Sequence, residues 1–324
     1  MDRSKLIKYI QASNMVTSWH WYQYHFSMLD RGIEHPFATS IIDALLNVEV
    51  KMPGYAKKAV DTLASHHGRD RFLPHYDLLK QFLAELYVVN HLASIFPDAR
   101  FLDEPTIGGS KKNPEITIET ENYILGIEVK SPMLREHEEQ RSTNPVQLPG
   151  RLEIAADLIS DAGGKEYVTL PRDNPVKDFL ISANDKFEQF QEKVENFYGI
   201  LVIVWDDYIY EPITSLVAQH SGLLTENSFA RDEDGSPLKF LNINSIIVIR
   251  HLHQIRRAAG DQPLIDGKLH ALDFGQQGEF PYNVVLHPPD VKQIPEEVIR
   301  AFHAVELNER LGSEYRPQEY VMWI

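Results

Sequence analysis

The sequence lacks several features that would place it in well-defined protein classes. None of its 324 residues is cysteine, which excludes disulfides, thiolate zinc sites and thiol nucleophiles and fits a reducing compartment. It has no run of about 18 apolar residues, the length that a membrane-spanning helix needs. The first residues, MDRSKLIKYIQASN, show neither the apolar stretch nor the cleavage site of a secretory signal. These absences predict a soluble, cytoplasmic protein with no membrane partner.

Signatures of the commonest enzymes are absent as well. The sequence contains neither GxSxG nor HExxH, the motifs of many hydrolases and zinc proteases. The segment DAGGKEY (161–167) superficially resembles a phosphate loop, but it lacks the full GxxxxGK[ST] pattern and follows no buried strand. The histidine pairs His20/His25 and His66/His67 have no third ligand at a suitable spacing, so no structural zinc site is expected.

Positive charge is scarce relative to negative charge. The 32 Lys and Arg residues and the 47 Asp and Glu residues give a formal net charge of -15. This balance argues against broad, nonspecific adhesion to nucleic acid, because polyanions repel each other. It is compatible with a local basic groove, and with a cluster of carboxylates that a bound cation neutralises.

Periodic apolar residues and turn residues predict the order of elements. Helices are predicted over residues 75–96, 183–197 and 295–311, near 150–160, and over most of 1–75. Strands are predicted over 114–119 and 123–130, which form a hairpin, and over 199–205, 245–252 and 282–288. This order predicts an α/β protein with a mixed central sheet flanked by helices. The expected domains are an N-terminal helical region (1–75), a core (76–292) and a C-terminal helix and tail (293–324).

The helix over 75–96 carries a carboxylate in an apolar position. At about 100° per residue, Glu85 falls near the middle of an apolar stripe. The stripe is formed by Leu78, Phe82, Val89, Leu92 and Phe96. A lone carboxylate is seldom placed there, because removing it from water is costly. Glu85 is therefore expected to meet a partner, which is either a buried Arg or Lys or, more specifically, a metal ion or a catalytic lysine.

The hairpin brings further charged residues together. Glu128 and Lys130 lie two apart on a strand, so both side chains project from one face. Ile127 and Val129 project from the other face and supply apolar packing. A short turn brings Glu115 roughly opposite Glu128, within one residue of register. Two carboxylates and an amine are therefore predicted to emerge together, although the ExK triplet alone is also typical of an exposed strand.

This segment resembles the PD-(D/E)xK nuclease superfamily, the fold of many restriction enzymes and Holliday-junction resolvases. The matching residues are Pro114–Glu115, a spacer of twelve residues, Glu128–Val129–Lys130 and the following Ser131–Pro132. Glu85 is similar to an extra acidic residue that many members carry on the preceding helix. The chain has Glu115 where the family usually has Asp, and the extra methylene lengthens the reach of the carboxylate.

The likeness extends beyond the hairpin to about half of the chain. Lys186 and Gln189, in NDKFEQF, match the Lys or Gln that members often show on the next helix, just before a buried strand. The order of elements over residues 76–205 also agrees with the family. The resemblance therefore implies a restriction-endonuclease-like fold and a metal-dependent endonuclease acting on DNA, in many members as a homodimer.

Phosphodiester hydrolysis explains why such residues are grouped. The reaction places negative charge on a nonbridging oxygen and needs a hydroxide near neutral pH, and Mg²⁺ (or Mn²⁺) supplies both. The resemblance implies Glu115, Glu128 and the carbonyl of Val129 as metal ligands. It gives Lys130 the task of positioning or deprotonating water, or of stabilising developing charge. Glu85 would hold a second metal, a metal-bound water or Lys130. Lys186 and Gln189 would orient that water or contact the phosphate.

Other segments are candidates for contact with nucleic acid. The densest basic cluster, RHLHQIRR, holds Arg250, His251, His253, Arg256 and Arg257, and Lys111–Lys112 precede the motif. A solvated face is the commoner explanation for such clusters. The aromatic stretch WHWYQYHF (19–26) could stack on unpaired bases, but Trp19, Tyr22 and Phe26 have helical spacing, which favours core packing.

Two other functions stay open at this point. The first is a noncatalytic nucleic-acid-binding or assembly module that keeps a nuclease-like fold, with carboxylates splayed apart or Lys130 remote from Glu115. The second is a metal-dependent hydrolase of small phosphoesters, which a narrow, closed pocket would favour.

Overall fold

The computed structural model describes most of the chain. The described residues are 1–69, 74–107, 112–133, 135–144, 146–148, 150–151, 168–265, 270–274, 283–307 and 311–318. The predicted helix near 150–160 lies almost wholly outside these ranges, and so do the DAGGKEY segment and Lys111.

A mixed seven-stranded sheet forms the centre of the protein. The strands in chain order are β1 (Arg100–Asp103), β2 (Ile116–Glu119), β3 (Ile124–Lys130), β4 (Val146–Gln147), β5 (Val168–Thr169), β6 (Phe197–Trp205), β7 (Ser245–Arg250), β8 (Asn283–Leu286) and β9 (Ala304–Glu306). The order across the sheet is β1-β2-β3-β6-β7-β8-β9, and β4 pairs separately with β5. Strands β3, β6 and β7 are parallel, whereas β1 and β3 are antiparallel to β2 and β8 is antiparallel to β7. The predicted α/β class with a mixed sheet is confirmed.

Helices cover both faces of this sheet. In chain order they are α1 (Arg3–Ala12), α2 (Asn14–Thr17), α3 (Gln23–Phe26), α4 (Pro36–Lys51), α5 (Tyr55–Ser65), α6 (Pro74–Ile95), α7 (Arg135–Thr143), α8 (Asp173–Lys193), α9 (Tyr210–Val217), α10 (Leu252–Ala259) and α11 (Glu296–Ala301). The N-terminal helices, α6 and α10 share one apolar core with one face of the sheet. Helices α8 and α9 pack on the other face. Among the described helices, none combines the length and hydropathy needed to span a membrane.

The predicted hairpin and the buried strand are confirmed. Ile116 pairs with Ile127 in antiparallel register, and continuing that register places Glu115 opposite Glu128. All nine residues of β6 are buried, as a continuous apolar run predicts for a strand covered on both faces. Helix α6 also lies within one residue of its predicted bounds.

Three predictions about other elements are wrong. Helix α8 begins at Asp173, ten residues before the predicted start, because Pro175 lies in the first turn, where proline is tolerated. Helix α7 lies in a stretch for which the sequence predicted neither a helix nor a strand. The predicted helix over 295–311 ends at Ala301, because His303 takes a left-handed conformation with φ 47° and the chain then joins the sheet as β9.

Two glycines let helix α8 approach the sheet. Gly126 of β3 and Gly199 of β6 are register partners in the parallel pair. A Cβ atom on Gly199 would lie 2.5 Å from the Phe187 ring and 2.6 Å from the carbonyl oxygen of Asn242. Phe187 belongs to α8, so the absence of a side chain at Gly199 determines how closely α8 packs beside the strand that carries Glu128.

We expect Gly199→Ala to lower the free energy of unfolding by about 1 to 3 kcal/mol, because the added methyl group overpacks this interface. Chemical denaturation monitored by circular dichroism measures the change. Gly260→Ala is the matched control, since its Cβ atom would come no closer than 3.4 Å to its neighbours. Equal stability of Gly199→Ala and the parent protein would contradict the described packing of α8.

Candidate active site

The central feature of the site is a carboxylate buried within the sheet. Glu128 lies on β3 between β2 and β6, and its exposed fraction is 0%. Its Oε1 atom lies 2.6 Å from Lys130 Nζ and 2.5 Å from Lys186 Nζ. A buried charge requires such countercharges, because desolvation is otherwise prohibitive. Two ammonium groups, one from β3 and one from α8, therefore hold a single oxygen of Glu128.

The second oxygen of Glu128 has no such partner. The Oε2 atom is buried and makes no hydrogen bond within the described part of the chain. Buried carboxylate oxygens are usually satisfied by several donors, and an orphaned one marks strain, a missing water or a missing ion. Glu128 thus has one oxygen held by two ammonium groups and one oxygen without a hydrogen-bond partner among the described residues.

Glu115 lies just before β2 and turns its carboxylate toward β3. Its Oε2 atom accepts a hydrogen bond of 2.8 Å from the Val129 amide, and its Oε1 atom lies 3.7 Å from Lys130 Nζ. Burial, followed by repulsion from Glu128 and Glu85, raises the pKa of Glu115 well above its usual value. The extra methylene of glutamate relative to aspartate gives the carboxylate the reach to contact the backbone of β3.

Glu85 projects from helix α6 into the same group. Burial and the nearby negative charge of Asp103 raise the pKa of Glu85 to about 7, although the charge of Lys58 opposes this shift. Lys58 itself lies 2.6 Å from Asp103 and is largely neutralised there. One expectation was that a buried lysine or arginine pairs with Glu85. Among the described residues, no lysine or arginine forms a direct ion pair with Glu85.

Lys130 lies between the carboxylates. Burial alone would lower the pKa of Lys130, but the charges of Glu128 and Glu115 outweigh this effect and raise the pKa. Lys130 is therefore a cation at neutral pH in this arrangement. Among the described residues, no three His, Asp or Glu side chains are gathered tightly enough to enclose a metal ion.

A cleft of about 460 Å³ opens over these groups at the carboxyl end of β3. Helix α6 lines one wall, and α8 lines the other. The lining residues are Thr62, His66, Leu78, Gln81, Phe82, Glu85, Glu115, Val129, Lys130, Ser131, Asp178, Phe179 and Ser182. Leu78 and Asp178 are exposed at its rim. Solvent can therefore reach Lys130 and the carboxylates of Glu85 and Glu115.

The N-terminal helices contribute residues that sequence patterns did not indicate. Tyr55 of α5 is buried, and its hydroxyl group makes no hydrogen bond within the described residues. Burial and then the charges of Glu85, Asp103 and Glu115 raise the pKa of Tyr55, so the phenol stays neutral beside these carboxylates. Only the tertiary packing of α5, which lies against α4 and α1, brings Tyr55 here, so no local sequence signal could have identified it.

The structure separates the two residues that the resemblance selects on α8. Lys186 joins the site through Glu128, as described above. Gln189 instead accepts a hydrogen bond from Lys193 of the same helix, at an exposed position. Within the described ranges, no hydrogen bond connects Gln189 to Glu115 or Glu128. The orienting role expected for Gln189 has no geometric support in this arrangement.

The basic cluster over 250–257 does not form a single face. His251 and His253 are buried, so the expectation of a solvated face is wrong for both. Arg256 is ion-paired with Glu138 of α7. The cluster begins at the carboxyl end of β7, so the residues that directly follow this strand lie in the core.

A second buried charged group lies beyond the carboxyl end of β6. Glu211 accepts hydrogen bonds from Arg172, Arg141 and the indole of Trp205, and lies 3.4 Å from His137. Burial alone would raise the pKa of Glu211, but hydrogen bonding from His137 and the two arginine charges outweigh it and bring the pKa to about 2. This group joins helices α7 and α9, and sequence patterns gave no indication of it.

Comparisons with known proteins do not identify a relative. The chain matches no protein-family model, and no curated protein or solved structure is significantly similar to it. The resemblance to PD-(D/E)xK nucleases therefore remains a prediction that depends on the residues themselves. Function has to be inferred from the geometry and electrostatics of the site.

The raised pKa of Glu85 predicts a pH-dependent stability in the presence of a chelator. An ordinary glutamate loses its proton near pH 4.5, whereas folded Glu85 keeps it to about pH 7. The folded state therefore loses stability as the pH rises through this window. Glu85→Gln removes the effect, so we expect it to exceed the parent in stability by about 1 to 3 kcal/mol above pH 7 and to approach the parent near pH 4.5.

Urea denaturation at several pH values measures this difference. Glu121→Gln, in the exposed hairpin turn, controls for the loss of one negative charge. A difference between Glu85→Gln and the parent that stays constant from pH 4.5 to pH 8 would show that the environment of Glu85 is not as described.

Proposed function

We propose that this protein is a Mg²⁺- or Mn²⁺-dependent nuclease of restriction-endonuclease-like fold, acting as an endonuclease on DNA. The observation that carries the proposal is the meeting of Glu115, Glu128 and Lys130 beneath an open cleft, with one buried oxygen of Glu128 left without a hydrogen-bond partner among the described residues. Three carboxylates and only two ammonium groups share this region. The excess of negative charge supports a cation as the missing component.

The oxygen donors fit a hard divalent cation. Glu115 and Glu128 would bind it, with the carbonyl of Val129 as a further ligand. Glu85 would hold a second ion, a bound water or Lys130. When bound, Mg²⁺ supplies neutralisation of a phosphate oxygen and a hydroxide near neutral pH. Because a nearby positive charge favours ionised carboxylates, the cation would also offset the repulsion that raises the pKa of Glu115.

The two lysines of the site take different tasks in this proposal. Lys130 lines the cleft and its pKa is raised, so it remains protonated and is suited to stabilising negative charge on a phosphate. The alternative role of Lys130 as the base that deprotonates water is correspondingly less favoured. Lys186 is a positioning residue, because its ammonium group holds Glu128 from the side of α8.

The rival functions receive less support. A noncatalytic module predicts that Lys130 is remote from Glu115, but the two groups lie 3.7 Å apart. A hydrolase of small phosphoesters predicts a narrow, closed pocket, but the cleft is open between α6 and α8, with Leu78 and Asp178 exposed at its rim. A polymeric substrate fits an open cleft better. DNA is proposed on the resemblance alone.

We expect Glu128→Gln and Lys130→Ala each to reduce metal-dependent DNA cleavage by at least about 100-fold, because each removes a charge that acts directly on the reacting phosphate or its metal. Gel assays with Mn²⁺ or Mg²⁺ on duplex, single-stranded and branched DNA measure cleavage. Glu119→Gln is the matched control, since Glu119 lies on the same hairpin but pairs with Arg100 at its far end.

Circular dichroism must show that both variants are folded. Failure of the parent protein to cleave any of these substrates with either metal would exclude the proposed enzyme activity. Retention of activity in Lys130→Ala would leave a nuclease but remove Lys130 from its mechanism.

Metal binding can be tested without cleavage. We expect saturating Mn²⁺ to stabilise the parent protein against unfolding by about 2 to 3 kcal/mol at 100-fold excess over its dissociation constant. The stabilisation should be stronger at pH 8 than at pH 5.5, because protons compete for Glu85 and Glu115, whose pKa values are raised. Thermal unfolding with and without Mn²⁺ measures it. The effect should disappear in Glu128→Gln and persist in Glu119→Gln, and equal stabilisation of both variants would place the metal elsewhere.

A further inference from the structure

Several aromatic side chains near the cleft are exposed or only partly buried, although Trp21 also packs against the apolar core. Trp19 has an exposed fraction of 55%, so its predicted role in core packing is wrong, although Tyr22 and Phe26 are buried as predicted. The Arg69 guanidinium lies 5.3 Å from the Trp19 ring centroid. Trp21 stacks on Tyr76, with ring centroids 6.0 Å apart and an angle of 30° between the planes.

Trp21, Arg69 and Tyr76 line a second groove, which we call the aromatic platform. It has a volume of about 470 Å³, and Trp21, Arg69, Tyr76 and Arg135 are among its lining residues. Trp19 extends it through the contact with Arg69. Flat aromatic rings beside guanidinium groups are the combination that binds unpaired nucleotides, because bases stack on the rings and phosphates pair with the arginines.

The aromatic platform adjoins the cleft along three chain segments. After α5, the chain passes from His66 in the cleft to Arg69 on the platform. On α6, Leu78 lines the cleft and Tyr76 lines the platform, and after β3 the same change occurs between Ser131 and Arg135. Each step covers two to four residues of the sequence. The two grooves are therefore neighbours, and a bound strand can occupy both.

The spacing along α6 fits a short stretch of nucleotides. Nine residues separate Tyr76 from Glu85, which corresponds to about 14 Å along the helix axis. At about 3.4 Å per stacked base, this distance accommodates about four nucleotides. Of the two glutamates of the platform, Glu138 is ion-paired with Arg256, and Glu139 lies 3.4 Å from Arg135 in an exposed pair, which has to open for Arg135 to bind a phosphate.

We propose that the aromatic platform binds unpaired nucleotides of a DNA strand whose phosphate lies in the cleft. This inference rests on the proposed function for the identity of the neighbouring site and adds the substrate class, which is DNA with a single-stranded segment. Duplex DNA fits less well, because its stacked and paired bases do not expose faces to Trp19 and Trp21.

Fluorescence anisotropy with a labelled single-stranded oligonucleotide of about 12 nucleotides tests the proposal, in low salt with a chelator so that no cleavage occurs. We expect the parent protein to bind this probe more tightly than a duplex of the same sequence. Trp19→Ala should weaken binding of the single strand by about 5- to 150-fold, the loss of one base stack. Trp19→Phe should restore much of the affinity, because a stacking ring is kept.

Tyr24→Ala is the matched control, because Tyr24 is also an exposed aromatic residue, with a fraction of 71%, but its ring contacts His25 and His35, which do not line the platform, whereas Trp19 contacts Arg69. Equal effects of Trp19→Ala and Tyr24→Ala, or equal affinity for single strand and duplex, would overturn the proposal. Cleavage assays on the same proteins separate the two ideas. Cleavage without a Trp19 effect on single-strand binding refutes the platform and leaves the nuclease, whereas a Trp19 effect without any cleavage supports the platform and refutes the nuclease.

Discussion

The burial of Glu128 within the sheet is the constraint on which the site depends. A carboxylate that is fully removed from water must be neutralised locally, and Lys130 and Lys186 meet this need at one oxygen. Lys186 can do so only because α8 lies close to β3. That approach in turn requires glycines at the register pair Gly126 and Gly199, where a methyl group would collide with the aromatic side chains beside them. Backbone packing and charge neutralisation are thus coupled in one region.

The same region holds more negative charge than it can neutralise. Glu85 and Glu115 have raised pKa values, because burial and mutual repulsion both disfavour their ionised forms. Ionising these groups costs stability, and such clusters of perturbed carboxylates are commoner at functional sites than elsewhere. The N-terminal helices contribute to this region, since Tyr55 of α5 is buried beside these carboxylates, whereas the charge of Lys58 on the same helix opposes the shift of Glu85. These helices share a core with the sheet, so the site is built by both.

Local periodicity was enough to predict the parts of the site that lie on regular elements. The alternation in β3 and the short turn before it placed Glu115 opposite Glu128, and helical spacing placed Glu85 toward the interior. Tertiary contacts determined the rest. Gln189 turns to Lys193 because the two lie one helical turn apart, and the helix ending at Ala301 stops because β8 offers an edge for β9. Tyr55 reaches the site through packing of α5, which a pattern within one element cannot reveal.

A comparison of the two fully buried glutamates distinguishes a structural charge from a functional one. Both oxygens of Glu211 accept hydrogen bonds or ion pairs, from Arg141 and His137 at one and from Arg172 and Trp205 at the other, and its pKa is held at about 2. Such a group is complete and serves to fix helices. Glu128 is equally buried, yet its Oε2 atom has no hydrogen-bond partner among the described residues, and the neighbouring Val129 and Lys130 line a cleft together with Glu85 and Glu115. Because the two glutamates are equally buried, they differ in whether both carboxylate oxygens have hydrogen-bond partners. A buried carboxylate that has one oxygen without a partner and lies near a solvent-accessible cleft gains most from binding a cation.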